Sequence, residues 1–293
     1  MKEKFQNPQT VIRWLFAGFT VICLLAAVLV SDRGGMLDGL VRICTQSGQT
    51  VKSYFDPSYG GFSGTFLNVA LVCAVCLGLY CLPGISTRYR DREASVQAVS
   101  DALAALARAK VGNYLAFFPS YAYLRQVYED FTARYPDIGT LAQESGLDDA
   151  ARAAFLERFG PSPAKTLLGF GVMGGIFGEG VDLVGDRLIG CAIVGVGLPQ
   201  VNPRQEILRR YYDEAGGTGF DYAYRFPGMN KVLQAAGRVI RTQEDRGVVL
   251  LLDDRFARAE YTRLFPRHWH QLQYLRNTTE LEQQLAAFWA LNQ

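Results

Sequence analysis

Three apolar runs constrain this chain more than any other feature: "KTLLGFGVM" at 165–173, "RLIGCAIVGVGLP" at 187–199 and "RGVVLLLDD" at 246–254. Each is too short to cross a bilayer, nearly continuous in apolar residues and bounded by charge or proline. A strand that is apolar on both faces must be covered on both, and the intervening segments read as helices. Val96, Val99, Leu103 and Leu106 recur at helical spacing in "ASVQAVSDALAALARAK". Tyr121, Leu124, Val127 and Phe131 line one face of a second helix, which follows the apolar run "NYLAFFPS". "DDAARAAFLERF", "PRQEILRRYYDEAG", "GMNKVLQAAGRVIR", "DRFARAEYTRLFP" and "TTELEQQLAAFWAL" supply further helices, the last opened by a capping box from Thr279 to Glu282. The pattern predicts an α/β fold with a parallel sheet flanked by helices.

The amino-terminal part is different. Residues 1–85 carry only ten of the chain's charged side chains, which comprise 30 Lys and Arg and 28 Asp and Glu. Residues 14–30 are uncharged and mostly apolar, and 57–87 hold no charge at all. Each run approaches the roughly 20 residues that span a bilayer. This predicts two transmembrane helices, at about 14–31 and 63–83, within a membrane segment 1–85, and a second domain at 86–293, with a signal peptide as the alternative for the first run and a buried core helix for the second. Lys2, Lys4 and Arg13 before the first run, and Arg88, Arg90 and Arg92 after the second, orient both ends toward the cytoplasm. The expected location is a membrane with the second domain in the cytoplasm, or the cytoplasm alone if the junction near 83–88 is not genuine. Cys73, Cys76 and Cys81 have a metal-like spacing, but an apolar run is a costly place for a charged cluster. They read as small hydrophobes, and no iron–sulfur cluster is expected.

Gly169, Gly171 and Gly174 stand in the spacing GxGxxG. A dinucleotide site needs such glycines between a strand and a helix. Here Gly175, Gly178, Gly180 and Gly185 follow, which makes a poor first helical turn. The next strand ends in "VGVGLPQ", without the acidic residue that would hold a ribose. The segment reads as a loop of another kind.

"QAAGRVIRTQEDRGVVLLLDDRF", at 234–256, is the most informative stretch. Spacings of four and three residues put Gln234, Arg238 and Arg241 on one helix face, with Gly237 allowing close approach. Two guanidiniums and an amide converging in this way suit a triphosphate. The same spacing also suits surface arginines paired with Glu244, Asp245 or Asp253, so spacing alone leaves both readings open.

The string QAAGRVIR resembles motif VI of superfamily two helicases in the XPD/DinG form. "GGIFGEGVDLVGD" is similar to that family's motif V, and "STRYRDRE" and "NYLAFFPSYAYL" resemble its entry and motif IV region. "GVVLLLDDRF" matches the strand after motif VI, so the resemblance covers roughly 86–275. It implies a second, RecA-like lobe of an ATP-dependent DNA helicase. Arg241 would be the arginine finger, Arg238 a second γ-phosphate contact, and Gln234 with Gly237 would orient the nucleotide. The glycine loop would link nucleotide and nucleic acid, through Glu179, Gly180 and Asp182 toward ATP and Gly175 and Gly178 toward the strand. Ser120 is expected to contact a backbone phosphate, with a helix N-cap as its alternative role.

No GxxxxGK[ST] occurs, and Gly216-Gly217-Thr218-Gly219 has no lysine. The resemblance therefore implies that ATP and Mg2+ are held by a P-loop-bearing first lobe, in trans or from an intact gene. Single-stranded DNA is the expected partner, and hydrolysis by this chain alone is not expected. The alternative is a membrane-tethered, non-catalytic interaction protein that uses the RecA-like lobe for docking, its membrane contact made through residues 1–85. From residue 86 onward acidic and basic side chains are equal in number, so net charge argues for neither reading.

Overall fold

The structure is a computed structural model that describes residues 77–146, 148–174, 183–239 and 245–292. Chain contacts divide the protein into two units, Met1–Cys73 and Ala74–Gln293, and every described residue belongs to the second. The run at 14–31 and residues 63–76 of the second run lie outside the described residues. The remainder of that second run corrects the sequence expectation. Leu77–Cys81 is strand β1, paired in parallel with two neighbours, and not the end of a helix. Periodicity cannot separate a buried strand from a buried helix in a short apolar run, and here the neighbouring strands satisfy the backbone groups. Among the described residues no helix is long and apolar enough to cross a membrane. The unit boundary falls at 73/74 rather than 85/86, so the segment 83–88 joins two elements of one domain. Cys81 packs inside β1, where burial pushes its thiol up to about 12, as befits a small hydrophobe.

The other strands are β2 (Asn113–Phe118), β3 (Gly139–Ala142), β4 (Leu167–Val172), β5 (Gly190–Val194), β6 (Gly247–Leu252) and β7 (Gln273–Tyr274). They form one seven-stranded sheet in the order β3-β4-β2-β5-β6-β1-β7, with every pair parallel. The helices are α1 (Arg92–Arg108), α2 (Tyr121–Arg134), α3 (Asp149–Glu157), α4 (Pro203–Glu214), α5 (Phe226–Ala236), α6 (Ala259–Thr262) and α7 (Thr278–Leu291).

Central strands are buried throughout, and alternate side chains feed two cores. On β2, Tyr114, Ala116 and Phe118 meet Leu103 and Leu106 of α1, Val127 and Phe131 of α2 and Leu285 of α7. Leu115 and Phe117 point the other way, to Phe155 of α3, Val232 of α5, Phe256 and Trp269. The period of two is visible in contacts although the sequence shows a continuous apolar run.

Helix starts carry side-chain caps at Ser120, Asp148, Asn202 and Asn277. The last corrects the expected box at Thr279: Asn277 accepts from the Glu280 amide at 2.9 Å, and Glu280 reaches back to the Arg276 amide at 2.7 Å. Asparagine one residue before two threonines takes the cap because its carbonyl reaches the third helical amide. Asn277→Ala is expected to cost about 1 kcal/mol in a urea unfolding titration.

Candidate nucleotide and nucleic-acid site

In a parallel sheet all carboxyl ends lie along one edge, and ligands of open α/β sheets bind outside it. After β1 the chain runs across this edge. Thr87 donates its amide (3.3 Å) and its hydroxyl to Asp253, the residue after β6. Beyond β5, a methyl group added at Gly195 would stand 2.8 Å from the Thr87 Oγ1. Arg92 then donates to the Ser120 hydroxyl, after β2, at 3.3 Å. Gly195 has φ +85°, so alanine there meets both the left-handed penalty and the Thr87 side chain. Gly195→Ala is expected to destabilise the domain by roughly 1–2 kcal/mol, read as a lower Tm.

Asp253 is fully buried and anchors the edge. Burial raises its carboxyl, but Arg255 overcomes this with side-chain bonds of 2.6 and 2.8 Å and a backbone bond of 2.8 Å, so the acid is held below its usual range. Asp253 therefore belongs to Arg255 and Thr87, which removes it as the surface partner of Arg238 that the sequence left open. The adjacent Asp254 accepts from Arg88 at 2.8 Å and Arg258 at 2.6 Å.

Ser120 takes the second of its two expected roles, the N-cap. Its oxygen accepts from the Tyr123 amide at 3.4 Å, as an N-cap, and from Arg92. Two acceptor positions are thereby used while the O–H is left to donate. Buried Gln143, unremarked in the sequence, holds the neighbouring strand end. It accepts from the Val172 amide and donates to the Tyr121 hydroxyl, both at 2.8 Å, so α2 and the start of the glycine loop are fixed together.

Gly169 and Gly171 lie inside β4 rather than in a turn. A methyl group at Gly169 would stand 2.6 Å from Phe159 and 2.7 Å from Leu115, so this glycine serves close packing. Gly174 opens the loop against α5, where a methyl group would stand 2.9 Å from the Lys231 Cε. Lys231, one turn before Gln234, was not singled out in the sequence, where no motif marks it. Gly175, Gly178, Glu179, Gly180, Asp182 and Arg241 lie outside the described residues.

Helix α5 ends at Ala236, earlier than the motif VI spacing predicts. Gly237 caps it, donating to the Leu233 carbonyl at 2.9 Å, and Arg238 follows in the turn, donating its amide to the Ala235 carbonyl at 3.2 Å. Gln234 and Arg238 therefore do not share a helix face: Gln234 is exposed in the last turn and Arg238 is half-buried beyond it. Glycine favours ending a helix over continuing one, which explains the difference. Upstream, buried Asp221 pairs with Arg225 and accepts from Arg263 at 2.7 Å, anchoring the start of α5. Among the described residues no cluster of three His, Cys, Asp or Glu side chains could hold a metal ion.

Comparison with known proteins identifies this arrangement. The model of the family described as helicase C-terminal domain matches residues 103–272, more than half of the chain. The chain belongs to the helicase C-terminal domain family. It is 30% identical over 192 residues to the regulator of telomere elongation helicase 1 of Bos taurus, covering 58% of this chain and 16% of that protein. It is 36% identical over 89 residues to the ATP-dependent DNA helicase DinG of Photobacterium profundum, covering 30% of this chain and 13% of the relative. The chain thus spans a small part of these relatives' length. A solved XPD helicase shares the fold, with a TM-score of 0.53 and 20% identity over 68% of this chain and 35% of that one. The parallel sheet is thus the RecA-like one that the resemblance implied, shared with the solved XPD helicase.

Proposed function

We propose that residues 74–293 are the second lobe of an ATP-dependent DNA helicase, working opposite a P-loop lobe supplied by the same polypeptide or another chain. The observation that supports this most is the placing of the glycine loop's entrance. β4 delivers it between α2, through Gln143 and Tyr121, and α5, through Lys231. An entrance held between the Ser120 edge and the helix that leads to Gln234 and Arg238 suits a segment that couples the state of a nucleotide to a bound strand. In this reading Arg241 is the arginine finger, Arg238 a second phosphate contact, and Gln234 and Gly237 border the nucleotide, with Glu179, Gly180 and Asp182 on the loop. The same reading gives Gly175, Gly178 and Ser120 to contacts with the strand. Guanidinium forks fit phosphate oxygens, and the reading assigns Mg2+ to the P-loop lobe.

Binding of the full chain to a fluorescent thymidine oligonucleotide, followed across a salt series, tests the nucleic-acid half of this reading. Affinity is expected to fall linearly with salt on logarithmic axes, as it does when phosphates release counterions. Absence of binding at low salt would count against it.

A further inference from the structure

Tyr89 is 87% exposed, the most exposed large hydrophobic side chain among the described residues. It nevertheless stands on a fixed base. It lies in the 3-10 turn Tyr89–Asp91, closed by the Asp91 amide donating to the Arg88 carbonyl at 2.8 Å and by the Ser86 hydroxyl donating to Asp91 at 2.6 Å. The Arg92 guanidinium sits 5.5 Å from the centre of its ring and 5.2 Å from that of Tyr123. Arg92 is itself fixed by the Ser120 hydroxyl at 3.3 Å and the Thr87 carbonyl at 3.4 Å. Tyr123 is buried, its hydroxyl 2.6 Å from that of Ser95. Ring, guanidinium and ring thus form a stack rooted in the core, and the ring at its outer end is left to solvent.

The stack rises from the carboxyl edge beside Ser120, and it is flanked by cations. Arg88 is held by Asp254, and Arg90, paired with Asp91 at 3.4 Å, keeps 78% of its side chain exposed. An aromatic face among arginines is the surface that single-stranded nucleic acid uses, because its bases are unpaired and every base has a π-face. A duplex hides those faces.

We infer that Tyr89 is a base-stacking platform for a single-stranded nucleic acid lying along this edge, with Arg88 and Arg90 attracting its phosphates. The inference deepens the nucleic-acid reading of the lobe and rests on it. The first base stacks on the free face of Tyr89 and continues the order set by Tyr123 and Arg92. The hydroxyl of Tyr89 plays no part, so any aromatic side chain serves there.

The test is the fluorescence anisotropy of the full chain with a thymidine oligonucleotide and with an abasic oligomer of equal length. Tyr89→Ala is expected to weaken binding of the thymidine strand by about tenfold, a typical loss for one stacked base, and to leave abasic binding unchanged. Tyr89→Phe and Tyr89→Trp retain the wild-type affinity, as does Tyr211→Ala, which removes an exposed tyrosine from α4. The inference is overturned if Tyr89→Ala binds thymidine as tightly as wild type, if it loses abasic binding equally, or if Tyr89→Phe is as weak as alanine. It is also overturned if Tyr211→Ala produces the same loss. A wild-type chain that binds no thymidine strand removes the nucleic-acid reading as well, whereas wild-type binding with an unaffected Tyr89→Ala removes the stacking platform alone.

Discussion

Arg241→Ala, in the full chain mixed with a P-loop lobe of an XPD-type helicase, is expected to lower the rate of ATP hydrolysis at saturating ATP by about 10³-fold or more. An arginine finger acts on charge that develops on the transferring phosphoryl group, so its loss falls on kcat, and values of roughly 10³ to 10⁵ are typical where such fingers have been measured. Arg241→Lys keeps the charge but not the planar fork, and is expected to recover only part of the rate. Arg238→Ala, which removes the half-buried residue in the turn after α5, is expected to raise KM along with its effect on kcat, because the proposed phosphate contact would act before and during transfer. Steady-state kinetics over an ATP series, with circular dichroism to confirm that the fold persists, separates the two. A kcat unchanged in Arg241→Ala would remove the finger assignment.

Asp253→Ala is expected to be the most destabilising single change at the sheet edge, by about 3–5 kcal/mol, because it strands a buried guanidinium. Asp253 is wholly buried, and the Arg255 side chain is only 16% exposed. The substitution removes the acceptor of both Arg255 and Thr87 and so releases the segment that carries Tyr89 and Arg92. Asp253→Asn keeps the volume and is expected to lose less. The acid is held below its ordinary value, so its stabilisation is present above an unfolded carboxyl value of about 3.9 and is lost as the pH falls through the lower, folded one. Urea unfolding of the wild type should weaken through that acid window, and in Asp253→Asn this part of the weakening should disappear. Equal stability of wild type and Asp253→Ala would mean that the buried pair anchors nothing.

The sheet was legible in the sequence because its central strands are buried on both faces, which leaves β2, β4, β5 and β6 as apolar runs framed by charge or turn residues. The same property concealed β1. Leu77–Cys81 continues an uncharged segment long enough to suggest a membrane span, and only its pairing with β6 and β7 reveals a strand. β3 and β7 are short edge strands without an apolar run, so nothing in the pattern marks them. Within the candidate site, the motif strings pointed to Ser120, Gln234 and Arg238, but spacing overextended α5 past Gly237, where the backbone turns. Thr87, Gln143, Lys231 and Asp253 escaped notice as site residues because each acts through a contact distant in sequence. Thr87 and Asp253 lie 166 residues apart, and no local pattern encodes that meeting.

The most direct test of the account is ATP hydrolysis by the full wild-type chain combined with an isolated P-loop lobe of an XPD-type helicase, with and without single-stranded DNA. The account predicts hydrolysis well above that of either component alone, further raised by the strand. A mixture no more active than the P-loop lobe by itself, when both components are folded and both bind their ligands, would contradict it.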